Sequence, residues 1–312
     1  MINITPKPLY SYDNEERHPA LQFLVFIGIF ALVFIGGSLL GAGVVLVLFG
    51  MKTLMALSTL TVTVPHFTAA MWILQILSTT LPILFAPLIF AKFLTKDPEE
   101  YIRPSFKFPW MALVIIFALM FLSNPLIEIL SNINQKMVLP HWLKWMRESQ
   151  DSTEKAMEAL LKMDNVGDVI KNVLLVGLLT AIAEEFMFRG VIQTIFLRWT
   201  KNIHAAVWIT AILFSAFHME FFGFLPRLLL GLFFGYFVAW SGSIWTGVWA
   251  HFINNGAIVV ITYLYQQKII KGDPNEQHLF NYAGYLLSLA TTVFLLVIYK
   301  RTVDAKNKMP VY

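Results

Sequence analysis

LQFLVFIGIFALVFIGGSLLGAGVVLVLFGM, residues 21–51, contains no acidic or basic side chain. A transmembrane helix needs about 20 consecutive apolar residues, so this run is long enough to cross a bilayer. Four further stretches also lack Asp, Glu, Lys and Arg: 53–91, 108–127, 228–267 and 277–299. The sequence therefore predicts an integral, multi-pass membrane protein, which places it in the cell membrane if the source is bacterial.

The composition also indicates that the protein resides in a lipid bilayer. Of the 312 residues, 57% are hydrophobic and only 13% are charged, a mixture that cannot form a water-soluble globule. The net charge of +4 is modest, and no basic stripe with interleaved aromatic residues indicates nucleic acid as a partner. The absence of cysteine excludes disulfides, thiolate metal sites and a cysteine nucleophile.

The predicted fold is all-α, a polytopic transmembrane helix bundle of about eight spans with an amphipathic helix on the membrane surface. At about 20 apolar residues per span, the helices fall at 21–50, 68–94, 109–131, 170–198, 203–222, 226–241, 246–265 and 280–299. Between the third and fourth spans, apolar and charged residues alternate at helical spacing from Trp142 to Lys162. This pattern is typical of a helix lying on the bilayer.

These patterns divide the chain into five parts. They are a polar N-terminal tail (1–20), N-terminal transmembrane helices (21–131), an amphipathic surface segment (132–169), transmembrane helices that carry the chemically reactive residues (170–265), and a last span with a basic tail (266–312). The bilayer is thus the first predicted partner.

Ionisable side chains interrupt the apolar pattern at a few places. Such a residue at bilayer depth costs about 2.5 to 3.5 kcal/mol, so it persists mainly when it is paired, hydrated or functional. These residues are Glu184, Glu185 and Arg189 on the fourth predicted span, His218 on the fifth, and His251 with Asn255 on the seventh.

Their heights in the bilayer coincide. With a rise of 1.5 Å per residue, Glu184 and His218 both lie about 20 Å from the turn near Lys201, and hence about 10 Å below the opposite face. The sixth span is short and ends at the uncharged Ser241–Ser243 turn, which we expect inside the membrane. His251 and Asn255 then return to the same level, so three spans are predicted to bring polar groups to one cavity.

The spacing separates the roles of the two carboxylates. Glu185 and Arg189 stand at i and i+4, with the carboxylate first, which favours a salt bridge. Glu184 points about 100° away, so the predicted salt bridge leaves it available for another role. Because His251 and Asn255 also stand at i and i+4, an imidazole and an amide share one face. A carboxylate base, imidazoles and an amide donor suit the hydrolysis of an acyl group.

Three motifs occur in order along these spans: EEFMFR at 184–189, FSAFH at 214–218 and HFINN at 251–255. They resemble the EExxxR, FxxxH and HxxxN signatures of the CAAX protease and bacteriocin-processing (CPBP, or Abi) family of intramembrane endopeptidases. The resemblance covers about residues 170 to 260, and the first 165 residues carry no matching motif. It therefore implies no particular substrate beyond a membrane-associated protein or peptide.

The resemblance implies that Glu184 is the base that activates water and that His218 is its partner. Glu185, Arg189, His251 and Asn255 correspond to the other motif residues. Family members are usually classed as metalloproteases, although a metal-free glutamate mechanism is also proposed for them. Glu184, His218 and His251 could hold a divalent metal such as zinc, or water alone, and the sequence leaves both open.

The sequence is also compatible with two other functions. Ion-coupled membrane transporters also place Glu, Arg and His at the midplane, but they tend to contain inverted repeats, and this chain shows none. A non-enzymatic immunity or regulatory protein could use the same residues to bind a partner. Loss of Glu184 separates these classes, because a binding role should survive it.

Overall fold

The computed structural model describes residues 17–138, 140–271 and 280–307, and within these ranges every regular element is a helix. The all-α prediction is confirmed. The predicted polar N-terminal tail lies outside the described residues except for 17–20, as does the end of the predicted basic tail after residue 307.

The helices in chain order are α1 (Pro19–Ser58), α2 (Phe67–Leu94), α3 (Pro98–Ile102), α4 (Met111–Leu122), α5 (Asn124–Gln135), α6 (Lys144–Leu160), α7 (Val166–Thr200), α8 (Ile203–Phe217), α9 (Phe224–Ser241), α10 (Ile244–Gln266) and α11 (Tyr282–Asn307). Most of the side chains that α1 exposes are apolar, with Leu32 74% and Val47 83% exposed. Such a surface suits lipid, and the chain is an integral multi-pass membrane protein.

The number of full spans is lower than the eight predicted. In the described part of the chain, six helices are long and apolar enough to cross a membrane, and α4 with α5 makes a seventh if this pair, bent by 43°, is one span. The predicted span at 203–222 is α8, which has only 15 residues. It rises about 22 Å, less than the roughly 30 Å of a hydrocarbon core.

Contacts between helix ends define two faces of the bundle. On one face, Arg198 pairs with Glu100 at 3.0 Å, and the Ile244 amide donates to the Arg103 carbonyl at 3.0 Å. The turn at Ser241–Ser243 therefore lies beside a charged connection. This position argues against the expected location of the turn inside the apolar layer, which stays a prediction.

The opposite face carries the amphipathic helix α6, whose bounds, Lys144–Leu160, agree with the predicted segment. Leu160 packs in a small apolar cluster with Ala56, Phe67 and Met71, which come from the ends of α1 and α2. The other side of α6 is largely exposed. Its hydrophobic residues thus cover the ends of two spans while its charges face water.

Helix α7 is not a regular α-helix. It contains two π-helical segments, Val173–Leu179 and Phe186–Ile192, on either side of the α-helical turn Thr180–Glu185. Such π segments are rare and frequently occur at functional sites. Near the first segment α7 packs closely on α10, since a Cβ added to Gly177 would lie 3.5 Å from the Gly256 Cα.

Candidate active site

Two carboxylates end the α-helical turn between the π segments of α7. Glu185 is completely buried, whereas the side chain of Glu184 is 12% exposed. Because adjacent residues on a helix point about 100° apart, the two side chains have different surroundings.

Glu185 holds Arg189, as predicted from their spacing. The Arg189 Nη1 donates to Glu185 Oε1 at 2.7 Å, and both side chains are fully buried. The other terminal nitrogen, Nη2, donates to the Gly231 carbonyl of α9 at 3.0 Å. The guanidinium also lies 4.4 Å from the Phe214 ring centre, a favourable cation–π distance. This pair therefore links α7 to α8 and α9.

Close packing of α10 accompanies the buried carboxylate. A Cβ added to Gly247 would lie 2.6 Å from both Glu185 Oε2 and the Val238 Cγ2. Only glycine leaves room for this approach. Gly247 consequently allows α10 to place its next turn, which carries His251, against Glu185.

His251 is oriented by Glu185 and by an aromatic ring. Its Nδ1 lies 3.0 Å from Glu185 Oε1, and its ring stacks on Phe234 with centres 4.8 Å apart and an angle of 18°. Because a carboxylate only accepts, Nδ1 carries the proton in this contact. In the neutral imidazole the lone pair is then on Nε2, which lies 3.8 Å from Glu184 Oε2.

His218 reaches the same oxygen from the end of α8. Its Nδ1 lies 2.8 Å from the Phe214 carbonyl, which can only accept, so Nδ1 is again the donor. The Nε2 of His218 lies 4.0 Å from Glu184 Oε2, and the side chain is 25% exposed. His218 is thus the most open member of the cluster, while His251 and Glu185 lie deeper.

Three hydrogen-bond acceptors therefore face one another. They are Glu184 Oε2 and, when both imidazoles are neutral, the Nε2 atoms of His218 and His251. Glu184 Oε2 is buried, and it accepts no hydrogen bond from the described part of the chain. The distances of 3.8 and 4.0 Å are too long for direct hydrogen bonds. An unpaired buried carboxylate oxygen is costly, so this arrangement favours a donor or a cation among the three atoms.

Asn255 lies one helical turn beyond His251 and has a different environment. Its Nδ2 donates to the Val176 carbonyl in the first π segment at 3.3 Å, and its Oδ1 accepts from Asn254 at 3.1 Å. The amide therefore ties α10 to α7. No described contact joins it directly to Glu184 or to either histidine.

The donor set matches that of a catalytic metal in part. Two imidazoles and one carboxylate form a known zinc ligand set, and the Nδ1 contacts of both histidines are those that metal-bound histidines make. Tetrahedral zinc places neighbouring ligand atoms about 3.3 Å apart, so this site would have to contract by about 0.5 Å. Within residues 17–138, 140–271 and 280–307, no group of three His, Asp or Glu side chains is already arranged to hold a metal ion.

Sequence reasoning missed several residues that shape the cluster. It gave no role to the Phe234 ring, to Gly247 or to the Gly231 carbonyl. It also missed that one oxygen of Glu185 serves Arg189 and His251 together. The small residues spaced along α9 and α10 are compatible with close helix packing, but they do not reveal which group approaches them.

The fold and this cluster define a class: a helical membrane protein with a carboxylate–histidine site inside its bundle. Residues 167–257 match the sequence model of the Rce1-like family, described as type II CAAX prenyl endopeptidase Rce1-like. The match of this segment to a CAAX protease family confirms the resemblance seen in the motifs. The segment includes all six candidate residues.

A curated relative covers a similar length. It is an uncharacterized protein, YpbD, of Bacillus subtilis, which is 30% identical over 88 residues. The aligned part is 27% of this chain and 42% of the relative, so the chain spans less than half of that protein. No solved structure is significantly similar.

Proposed function

We propose that this protein is an intramembrane endopeptidase that hydrolyses a peptide bond in a membrane-associated protein or peptide. The observation that carries the proposal is the cluster of Glu184 Oε2 with the Nε2 atoms of His218 and His251. A water molecule among them could donate one proton to the carboxylate and a second to a histidine Nε2. The oxygen of that water would then be activated for attack on a carbonyl carbon.

In this mechanism Glu184 is the general base. It takes a proton from water as the oxygen attacks the carbonyl, and it returns this proton to the leaving amine when the tetrahedral intermediate breaks down. His218 accepts the second hydrogen bond of the water through Nε2. Being the most exposed member, it also lies on the side from which a substrate can approach.

The buried residues support this chemistry from behind. Glu185 accepts the Nδ1 proton of His251 and keeps Nε2 directed toward Glu184. Arg189 balances the charge of Glu185, so the carboxylate of Glu184 is the one left for the reaction. Asn255 acts as a positioning residue, because its amide joins α10 to α7 one turn from His251.

A divalent metal is a second form of the same proposal. Glu184, His218 and His251 would hold it, and it would lower the pKa of a bound water and polarise the substrate carbonyl. The residues around the site would keep the tasks described, since Glu185 and the Phe214 carbonyl would still fix both imidazoles.

The substrate is proposed only as a class. The site lies among membrane helices, so the scissile bond must belong to a chain that enters or lies against the bilayer. The family description includes the word prenyl. Whether this protein requires a prenyl group is therefore part of the test.

The experiment compares the wild type with Glu184→Gln in detergent and in liposomes. Paired peptides, identical except for a farnesyl group, are offered with a library of unmodified membrane peptides, and products are identified by mass spectrometry. The matched control is Glu158→Gln on the exposed side of α6. Cleavage by the wild type and the control, lost in Glu184→Gln, supports the proposal. Equal cleavage by all three contradicts it.

Metal content is measured on the same preparations by elemental analysis, before and after chelation. A stoichiometric metal whose removal abolishes cleavage supports the metal form. Full activity of the metal-free protein supports the form with water alone.

A further inference from the structure

His218 stands at the start of a short turn that connects α8 to α9. We call residues 218–223 the His218 turn. Its second residue, Met219, has a positive φ of 55°, an unfavourable conformation for a residue with a side chain. The turn contains only a short 3-10 helix, Phe221–Gly223, so its position depends largely on contacts with other parts of the molecule.

Asn134 of α5 binds one side of this turn. Its Nδ2 donates to the Phe221 carbonyl at 2.8 Å, and its Oδ1 accepts from the Leu225 amide at 2.7 Å. The side chain is 1% exposed. It therefore satisfies a donor and an acceptor at the beginning of α9.

Helix α6 binds the other side. Gln150 Oε1 accepts the Phe222 amide at 3.2 Å, and the Arg147 guanidinium lies 4.0 Å from the centre of the Phe222 ring. Gln150 is only 6% exposed, although Ser149 and Asp151 beside it are exposed. The surface helix thus sends a buried polar side chain into the connection that carries His218.

From these contacts we infer that Gln150 is a positioning residue, which holds the His218 turn so that His218 Nε2 stays directed at Glu184. The inference rests on the proposed function. Gln150 touches neither Glu184 nor His218, and it acts through the Phe222 backbone. A displacement of about 1 Å in a reacting group can cost on the order of 10²-fold in rate, so a modest shift of this turn is enough to matter.

The chemistry of the contact gives a sharp pair of variants. Gln150→Glu is combined with Glu154→Ala, so that two carboxylates do not meet, and it keeps an oxygen that can accept the Phe222 amide. Gln150→Leu keeps similar bulk and removes the acceptor. The matched control is Glu154→Ala, because Glu154 accepts from Gln150 Nε2 at 2.9 Å on the side away from the turn. This control removes a partner of Gln150 without touching the contact with Phe222.

The first measurement is steady-state cleavage by the full-length protein. We expect Gln150→Leu to lower kcat by roughly 5- to 50-fold with KM within about twofold of the wild type. Glu154→Ala, alone or combined with Gln150→Glu, should stay within about twofold in both constants. A merely structural role would instead lower the melting temperature and the activity of Gln150→Leu and of the double variant together, and this result would overturn the inference.

The second measurement does not depend on proteolysis. Because the chain has no cysteine, Met219→Cys introduces one thiol at a position that is 55% exposed. Its rate of reaction with a maleimide should rise severalfold when Gln150→Leu is added and should not change when Gln150→Glu and Glu154→Ala are added together. Equal rates in all three backgrounds would overturn the inference. If the wild type cleaves nothing, the proposed function fails, and the labelling rates alone decide whether Gln150 holds the turn.

Discussion

Replacing Glu185 with glutamine tests the most buried contact of the candidate site. The substitution keeps the size of the side chain and an oxygen that can accept, but it removes the negative charge. Arg189 would then keep a full charge at zero exposure, with only neutral acceptors and aromatic rings as its direct partners. Removal of one partner from a buried ion pair typically costs about 3 to 5 kcal/mol.

That loss should be visible in thermal melting. At roughly 2 to 4 °C per kcal/mol for a protein of this size class, the melting temperature in detergent should fall by about 6 to 20 °C. Activity should fall as well, because the same oxygen accepts the Nδ1 proton of His251. Loss of such an orienting partner costs about 10- to 100-fold at metal sites, and we expect a similar decrease in kcat.

The assay is melting by intrinsic tryptophan fluorescence, followed by cleavage at a temperature where both proteins are folded. Glu100→Gln is the control, since Glu100 pairs with Arg198 at 3.0 Å but is 45% exposed. It should cost at most about 1 kcal/mol and leave kcat unchanged. A Glu185→Gln protein that melts within about 2 °C of the wild type would refute the burial argument. A destabilised variant with normal kcat would refute the link through His251.

Three further outcomes are expected. Glu184→Gln should keep the melting temperature within about 2 °C and lower turnover by roughly 10²- to 10⁴-fold, because it removes the general base; an active variant would exclude that role. Gly247→Ala should destabilise the protein by about 1 to 3 kcal/mol in a melting assay, since the new methyl collides with Glu185 Oε2 and Val238. A thiol at exposed Ser152 on α6 should react quickly with a membrane-impermeant maleimide in liposomes, and one at Leu32 of α1 should not; the reverse order would contradict the topology.

Much of the architecture could be predicted because, in a helix that crosses a bilayer, the number of residues from a turn gives the depth of a side chain in the membrane. Counting residues from the turn near Lys201 was sufficient to place Glu184 and His218 at one height, and their closest side-chain atoms are 4.0 Å apart. The different directions of Glu184 and Glu185 were predictable as well. Adjacent helical residues diverge by about 100°, and this local rule does not depend on the rest of the helix.

Other features depend on tertiary contacts that no local pattern encodes. No local sequence pattern distinguishes the two π segments of α7 from the α-helical turn between them. The stacking of Phe234 on His251 joins residues from different helices. Asn255 was expected to line the cavity with the other polar residues, but its amide is used by the Val176 carbonyl of the first π segment. The six or seven long apolar helices of the described chain fall short of about eight predicted spans because α8 ends at Phe217, five residues before the predicted end of its span.

The shortness of α8 bears on how hydrolysis obtains its second reactant. In the proposed reaction each cleavage consumes one water molecule, and hydrocarbon supplies almost none. Because α8 rises about 8 Å less than the thickness of a hydrocarbon core, the chain turns at His218 before a full crossing is complete. Its side chain remains 25% exposed, whereas that of His251 is 5% exposed. The short helix α8 could therefore let water reach Glu184 without a pore through the membrane.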